Sequence, residues 1–278
     1  RLSATVTSAR LAAVLSAALF VAMTFRAHLA GEWVIGGVEA KGFAFVALLL
    51  GLAALAQGRW NAVWLLLGLA SAFHVVLGAW SVIAAGAVWL SLGRSRPPLW
   101  AMLPALLGGL VVALPGLVPG LLLARGADPT MVDEANRLYV FERLPHHLVL
   151  YRMPAWFIQR HLLLIGVWAV LAWLTRSRAW PAHSAAAVPD PASPAISPGA
   201  RVALSAAPRV ARAPIALINR FVLACIGIAA AGAVVTWSTL DTPALAARVL
   251  RYYWYRMTDF ATPLGLGLSV AAWLGARL

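Results

Sequence analysis

Residues Leu99 to Leu123 read "LWAMLPALLGGLVVALPGLVPGLLL", a run without a single charged side chain. A helix needs about 20 apolar residues to cross the hydrocarbon core of a bilayer, so this run predicts a transmembrane helix. The run also holds three prolines, at positions 104, 115 and 119, and four glycines. Because proline removes a backbone donor and kinks a helix, two interpretations stay open. The helix packs against its neighbours through a kink, or it lines a substrate cavity.

The composition of the whole chain agrees with this run. Hydrophobic residues make up 62% of the 278 residues, and charged residues make up only 11%. A soluble domain cannot bury so much apolar surface, so we expect an all-α, polytopic membrane protein in contact with lipids. The formal net charge is +13. Membrane proteins concentrate Arg and Lys in cytoplasmic loops, and no basic and aromatic soluble face is evident. We therefore expect no nucleic-acid partner.

Uncharged runs bounded by charge, Gly or Pro predict about eight transmembrane helices. They cover roughly residues 11–27, 43–57, 60–73, 75–92, 99–123, 161–175, 220–240 and 261–276. One helix from Trp60 to Leu92 would be about 50 Å long, too long for an ordinary crossing. A break near "FHVVLGAW" is therefore expected.

The distribution of charge predicts an orientation. If Arg1 is cytoplasmic and the spans alternate, the inside holds twelve basic residues and one acid, Asp190. The outside then holds ten basic residues and the other eight acids. This partition follows the positive-inside rule and places both termini of the given sequence in the cytoplasm.

The chain divides into three parts. Residues 1–178 form a predicted six-span block with outer loops, and residues 217–278 form a two-span block. Residues 179–216 between them are rich in Pro and Ala and lack helical or strand periodicity, which predicts a flexible cytoplasmic linker. The sequence begins with Arg1 rather than Met and stops inside an apolar run. We expect it to be a piece of a longer protein.

Two polar clusters of the predicted outer side lie next to apolar runs. In "GEWVIGGVEAKGF", Glu39 and Lys41 stand where the chain re-enters the membrane. Charges at such a depth are either functional or an interfacial pair that reaches water. In "AFHVVLGAW", His74 stands at the tip of a tight helix pair, and Gly78 permits close packing. His74 either bonds a backbone carbonyl or belongs to a site.

The third cluster is "FERLPHHLVLYRMPAWFIQRH", Phe141 to His161. If the part before Pro145 is helical, Glu142 and His146 face the same way. Glu142, His146 and His147 then suit either a divalent metal or a general base with its orienting carboxylate. The cluster also has forked donors that suit phosphate, in Arg143, Arg152 and Arg160. Its aromatic residues equally suit a segment that only lies in the headgroup layer.

The fourth cluster is "RVLRYYWYRMTDFATP", Arg248 to Pro263. At helical spacing, one polar and aromatic stripe is expected, made of Arg248, Arg251 or Tyr252, Tyr255 and Asp259. Asp259 adjoins the last span, where an unpaired carboxylate is costly, so Arg256 or an arginine of the third cluster is its expected partner. The alternative is an amphipathic helix anchored by its aromatic residues.

Four motifs together resemble a family of bacterial multipass membrane proteins of unknown function. They are "GGVEAKGFA" at 36–44, "FHVVLGAW" at 73–80, "RLPHH" at 143–147 and "YYWYRMTDFATP" at 252–263. That family is similar in layout to the GT-C glycosyltransferases, which use polyprenyl-phosphate-linked sugars at the outer face. The resemblance covers most of the chain except the linker. It implies a location in the bacterial inner membrane and a lipid-linked sugar as substrate.

The resemblance also implies roles for individual residues. Glu39 or Glu142 would be the catalytic base, and His146 would assist it or hold a divalent cation. The residues expected to bind substrate are His74, Arg143, His147, Arg152, Arg251, Tyr255, Arg256 and Asp259. One departure stands out, because GT-C enzymes carry a catalytic acid in the first outer loop. Here that loop has Glu32 and Glu39 but no Asp, so either glutamate takes the role or the true first loop precedes Arg1.

Two other functions remain open. A transporter or flippase for an anionic or lipid substrate would explain the proline-rich span and the charges at membrane depth. Such a protein should have a cavity near the midplane. A non-catalytic partner in an envelope-assembly complex should instead have outer charges that pair with one another.

Overall fold

The structure of the protein is a computed structural model, and it describes residues 2–31, 34, 36, 38–176 and 214–277. Within these ranges the chain is helical and contains no strand. Most of the segment predicted as a linker lies outside the described residues. Its last residues, 214–216, begin a long helix.

Twelve α-helices are described. They are α1 (Leu2–Val6), α2 (Arg10–Arg26), α3 (Ala40–Ala56), α4 (Trp60–Phe73), α5 (Val75–Ser91), α6 (Leu99–Leu122), α7 (Pro129–Arg137), α8 (Pro145–Leu148), α9 (Ala155–Arg176), α10 (Pro214–Ser238), α11 (Pro243–Leu250) and α12 (Arg256–Gly275). A π-helical turn, Leu138–Arg143, joins α7 to α8, and 3-10 turns cover Gly93–Ser95 and Leu150–Arg152.

A helix is present at each of the eight predicted spans, which confirms the all-α fold. Three described helices are long and apolar enough to cross a membrane: α6, α9 and α10. The apolar helices α3, α4 and α5 are shorter, with 17, 14 and 17 residues, than the about 20 of a typical crossing. Several apolar helices are thus consistent with a membrane protein, and the count of eight crossings stays a prediction.

Three helices begin about one turn or more before the predicted spans. Helix α9 starts at Ala155, α10 at Pro214 and α12 at Arg256. The predicted spans began at or just after a charged residue: Arg160, Arg220 and Asp259. In the structure these three residues lie inside the helices. Arg220 of α10, for example, donates to the carbonyl oxygen of Ser91 at 2.7 Å.

Helix α12 lies at the centre of the bundle. Almost every residue from Arg256 to Ala272 is buried, and α2, α9 and α10 pack around the helix. Small residues permit this packing: a Cβ atom at Gly267 would lie 2.6 Å from the carbonyl oxygen of Ser16 on α2. The last two predicted spans therefore share one core with the helices that precede the linker.

Helix α6 packs in parallel on α4 through glycines. A Cβ atom at Gly109 would lie 2.6 Å from the carbonyl oxygen of Trp64, and one at Gly116 would lie 2.5 Å from that of Ser71. The helix runs from Leu99 to Leu122 with all three prolines inside it, and most of its other side chains are exposed. These contacts favour the packing interpretation of this span.

The helices alternate in direction, so the bundle has two chemically different ends. At one end lie the seven carboxylates of the described residues: Glu39, Asp128, Asp133, Glu134, Glu142, Asp241 and Asp259. At the other end the described residues include no carboxylate but seven arginines: Arg10, Arg59, Arg94, Arg96, Arg176, Arg220 and Arg277. We call these the carboxylate end and the arginine end. The division agrees with the charge partition expected from the sequence.

Candidate functional site

The candidate site is a polar cluster at the carboxylate end, formed by His74, His147, His161, Arg256 and Asp259. The helix break expected near "FHVVLGAW" falls at His74, whose backbone is extended between α4 and α5. This geometry turns the His74 side chain toward the start of α12. There the Nη1 atom of Arg256 lies 2.9 Å from His74 Nε2, across 182 residues of sequence.

The contact between Arg256 and His74 constrains the imidazole. Arg256 is only 7% exposed, and its guanidinium also lies over the ring of Tyr253, 3.8 Å from the centroid. The backbone N–H of Leu77 points at His74 Nδ1 from 3.3 Å. A neutral imidazole has one acceptor nitrogen, so the two contacts cannot both be full hydrogen bonds. The shorter contact favours the tautomer in which Nε2 accepts from Arg256.

Asp259 ties the loop after α2 to the cluster. Its carboxylate accepts hydrogen bonds from the backbone N–H groups of Leu29, at 2.5 Å, and Ala30, at 3.0 Å. The side chain is 1% exposed, so these bonds compensate for much of the cost of burying a carboxylate. The sequence predicted an arginine partner for Asp259. These backbone donors give Asp259 a positioning role that the prediction did not include.

His161 supports the same loop from α9. Its Nδ1 atom lies 2.8 Å from the carbonyl oxygen of Ala27, and its Nε2 atom lies 2.9 Å from the Thr258 hydroxyl. The imidazole is 1% exposed and lies 3.8 Å from the Asp259 carboxylate. His161 therefore joins the loop, α9 and α12 in one buried hydrogen-bonded unit.

Two more histidines cover the loop from the other side. His147 Nδ1 contacts the carbonyl oxygen of Ala30, and a Cβ atom at Gly31 would lie 3.6 Å from the His147 ring. His28 packs edge-on against Phe157, with ring centroids 4.5 Å apart. Burial, followed by the nearby His147 and Arg160, lowers the pKa of His28 below its ordinary value of 6.5. His28 is therefore held mainly neutral at pH 7.

Glu39 lies near this cluster but belongs to the surface. It directly precedes the first residue of α3 and lies 3.5 Å from the Lys41 ammonium, with a side chain that is 51% exposed. One turn further on, Phe43 stacks on Phe73, the neighbour of His74. Glu39 thus stands at the rim of the same face as His74, accessible to water.

Glu142 and His146 do not lie on one helix, which corrects the prediction for this pair. The π-helical turn ends at Arg143, and α8 begins only at Pro145. Glu142 instead accepts a hydrogen bond from Arg137 at 2.9 Å, while His146 is exposed and its ring lies tilted against that of the adjacent His147.

The four arginines expected to bind substrate differ in burial. Arg143 and Arg152 are exposed on the rim. Arg251 donates to Asn136 Oδ1 at 2.8 Å and to the Tyr252 hydroxyl at 2.9 Å. Of the four, only Arg256 is buried in the polar cluster.

The polar stripe expected between Arg248 and Asp259 is divided in two. Helix α11 ends at Leu250, and α12 begins at Arg256 after a turn in which Tyr253 has a φ of 55°. Arg248 therefore pairs with Asp133 at the surface, whereas Tyr255 points into the core. Tyr255 shares a 2.8 Å hydrogen bond with Thr236, and burial raises its pKa to about 12.

The described residues contain no group of three or more His, Cys, Asp or Glu side chains placed to hold one metal ion. The divalent cation suggested for His146 and His147 has no such group of ligands here. The polar cluster is instead a hydrogen-bonded network of donors and acceptors that contains one buried guanidinium, that of Arg256.

Sequence reasoning did not assign a role to His28 or His161. His161 lies at the edge of an apolar run, where a pattern of hydropathy treats it as a boundary. A useful signal was its position directly before the apolar residues 162–165, at the start of a predicted span. A histidine so placed needs polar partners on other helices.

Comparisons with known protein families, with curated proteins and with solved structures found no match to this chain.

Proposed function

We propose that the protein is an integral membrane transferase with a GT-C-like layout, acting on a polyprenyl-phosphate-linked sugar at its carboxylate end. The observation that carries the proposal is the 2.9 Å contact between the buried Arg256 and the half-buried His74. Three of the four motifs singled out in the sequence meet in this cluster, through His74, His147 and Asp259. A cation held at that depth is costly and is usually functional.

The reaction needs two kinds of group. A base takes the proton of the acceptor hydroxyl while its oxygen attacks the anomeric carbon of the sugar. The bond from that carbon to the phosphate oxygen breaks, and the polyprenyl phosphate leaves with the electron pair. A cation stabilises the negative charge that develops on the phosphate.

The residues divide between these roles by position. Arg256 offers a planar fork of donors suited to phosphate, and the loop held by Asp259 lies beside it. Glu39 is the base that the geometry favours, because it stands at the rim near His74 and reaches water. Glu142 is a weaker choice, because its carboxylate is bound to Arg137.

The orientation of the bundle across the membrane is part of the same proposal. The arginine end would face the cytoplasm of a bacterial cell, and the carboxylate end would face outward across the inner membrane. The absence of carboxylates among the described residues of the arginine end supports this orientation.

A transfer assay in membrane vesicles tests the proposal. Vesicles that contain the chain receive a panel of polyprenyl-phosphate-linked sugars, and the released polyprenyl phosphate is measured. Glu39→Gln should reduce release by about 10²-fold or more, as expected for loss of a general base. Glu142→Gln is the matched control and should change it little. Equal release from the native chain, Glu39→Gln and Arg256→Gln would refute the assignment.

A second candidate is a non-catalytic partner in an assembly complex, favoured by surface charges that pair with one another. Arg248 donates to Asp133 at 2.8 Å, and Arg137 forms a bidentate pair with Glu134. The pKa values of Asp133 and Glu134 are lowered by these hydrogen bonds. If no donor of the panel is consumed and no variant alters polyprenyl-phosphate binding, this candidate is preferred.

A further inference from the structure

A cavity of about 630 Å³ opens at the arginine end, between α9 and α10 and beside the end of α5. Its polar wall consists of Ser91, Thr175, Arg176, Asn219 and Arg220. Apolar side chains form the rest, chiefly Trp168, Ala169, Ala172, Trp173, Ile215 and Leu223. The described residues that line the cavity thus include two arginines and no carboxylate.

The polar wall is fixed by hydrogen bonds to neighbouring helices. Arg220 Nη1 donates to the carbonyl oxygen of Ser91 at 2.7 Å and lies 2.8 Å from its hydroxyl. Asn219 Oδ1 accepts from Trp168 Nε1 at 3.1 Å and from the Ser269 hydroxyl at 3.3 Å. The two contacts with Ser91 determine where the positive charge of Arg220 lies.

The cavity also opens toward the side of the bundle. Helices α9 and α10 are two of the three described helices long and apolar enough to cross a membrane. Trp173 is 70% exposed and Leu223 is 61% exposed, so the apolar wall continues onto the outer face of these helices. A tryptophan near the end of such a helix suits the headgroup region.

We propose that this cavity binds one anionic phospholipid. Its phosphate lies between Arg176 and Arg220, and an acyl chain follows the apolar wall past Trp173. Two arginines, with no carboxylate among the described residues of the lining, favour a lipid of net negative charge over a zwitterionic lipid.

This site is separate from the polar cluster. Helix α5 has His74 just before its first residue and Ser91 as its last, so the two sites lie about 25 Å apart along the bundle. The lipid site would therefore persist if the transferase proposal failed.

Native mass spectrometry of the full chain in neutral detergent tests the proposal, with phosphatidylglycerol and phosphatidylcholine as probes. Arg176→Gln removes one cation, and Ala169→Trp fills the cavity while both arginines remain. Arg94→Gln is the matched control, since Arg94 is exposed at the same end and does not line the cavity. Thermal unfolding of each variant verifies that it folds.

The native chain and Arg94→Gln should retain one tightly bound phosphatidylglycerol. Arg176→Gln should bind it about fivefold more weakly, and Ala169→Trp should lose it. Equal binding by all four proteins, or equal binding of phosphatidylcholine, would overturn the proposal. Displacement of phosphatidylglycerol by excess inorganic phosphate would also overturn it, because the site would then recognise phosphate without a lipid.

Discussion

The Asp259 carboxylate accepts a hydrogen bond from the backbone N–H of Leu29 at 2.5 Å, although 230 residues separate them in sequence. Through this bond and the neighbouring one to Ala30, the start of α12 holds the loop that follows α2. The loop in turn lies against His147 and His161. Asp259 thus positions one wall of the polar cluster.

Replacing Asp259 should therefore destabilise the protein. Asp259→Ala leaves two buried N–H groups without this acceptor, and we expect a loss of about 1–3 kcal/mol in the free energy of unfolding. Asp259→Asn should lose a similar amount, because an amide cannot accept with both of its polar atoms. Chemical unfolding in detergent, followed by circular dichroism, measures the change.

Asp241→Asn is the control for this prediction, since Asp241 is an exposed carboxylate at the same end. Its effect should stay within about 0.5 kcal/mol. If Asp259→Ala were as stable as this control, the loop would not depend on Asp259.

A glycine pair on α5 tests the packing of α4 against α5. A Cβ atom at Gly78 would lie 2.5 Å from the backbone nitrogen of Ser71, whereas one at Gly86 would meet nothing within 4 Å. Gly78→Ala should cost about 1–3 kcal/mol or more, because the helix backbone cannot yield easily. Gly86→Ala should stabilise the helix by about 0.5–1 kcal/mol. Melting temperatures that fail to separate the two variants would contradict the tight approach at Gly78.

The lowered pKa of His28 predicts a dependence of stability on pH. In the unfolded chain the imidazole gains a proton as the pH falls below about 6.5, while the folded protein resists protonation. The contribution of His28 to the free energy of unfolding is therefore fully present above this pH. It declines as the pH falls toward the lower pKa of His28 in the folded protein. We expect His28→Asn to flatten the decline in melting temperature over that acid range, and His146→Asn, at an exposed position, to leave it unchanged. An unaltered decline in His28→Asn would exclude His28 as its source.

The sequence predicted the helices well because uncharged runs of sufficient length have few alternatives to a buried or lipid-facing helix. It placed the break at His74 for the same reason, since a longer helix would exceed a bilayer. It placed the starts of α9, α10 and α12 too late, because Arg160, Arg220 and Asp259 were treated as boundaries. Arg220 and Asp259 have partners elsewhere in the bundle, at Ser91 and at the backbone of Leu29.

The candidate site was predicted less completely than the helices. Arg256 and His74 were both singled out, but their contact joins distant segments and no local pattern encodes it. Glu142 and His146 were paired through an assumed helix, and the π-helical turn separates them. Local periodicity cannot anticipate such a turn, which depends on how α7 and α11 pack together.

The binding of undecaprenyl phosphate to the purified full chain tests the central claim most directly. Transfer of the sugar from an undecaprenyl-phosphate-linked donor releases this lipid phosphate, so the proposed site must hold it. Arg256→Gln should weaken binding about tenfold or more, whereas Arg125→Gln, an exposed arginine at the same end, should bind as the native chain does. Arg256→Lys, which keeps the charge but not the fork, should fall between them. If folded Arg256→Gln, verified by its melting temperature, bound undecaprenyl phosphate as tightly as the native chain, Arg256 would not hold the donor phosphate and the proposed function would fail.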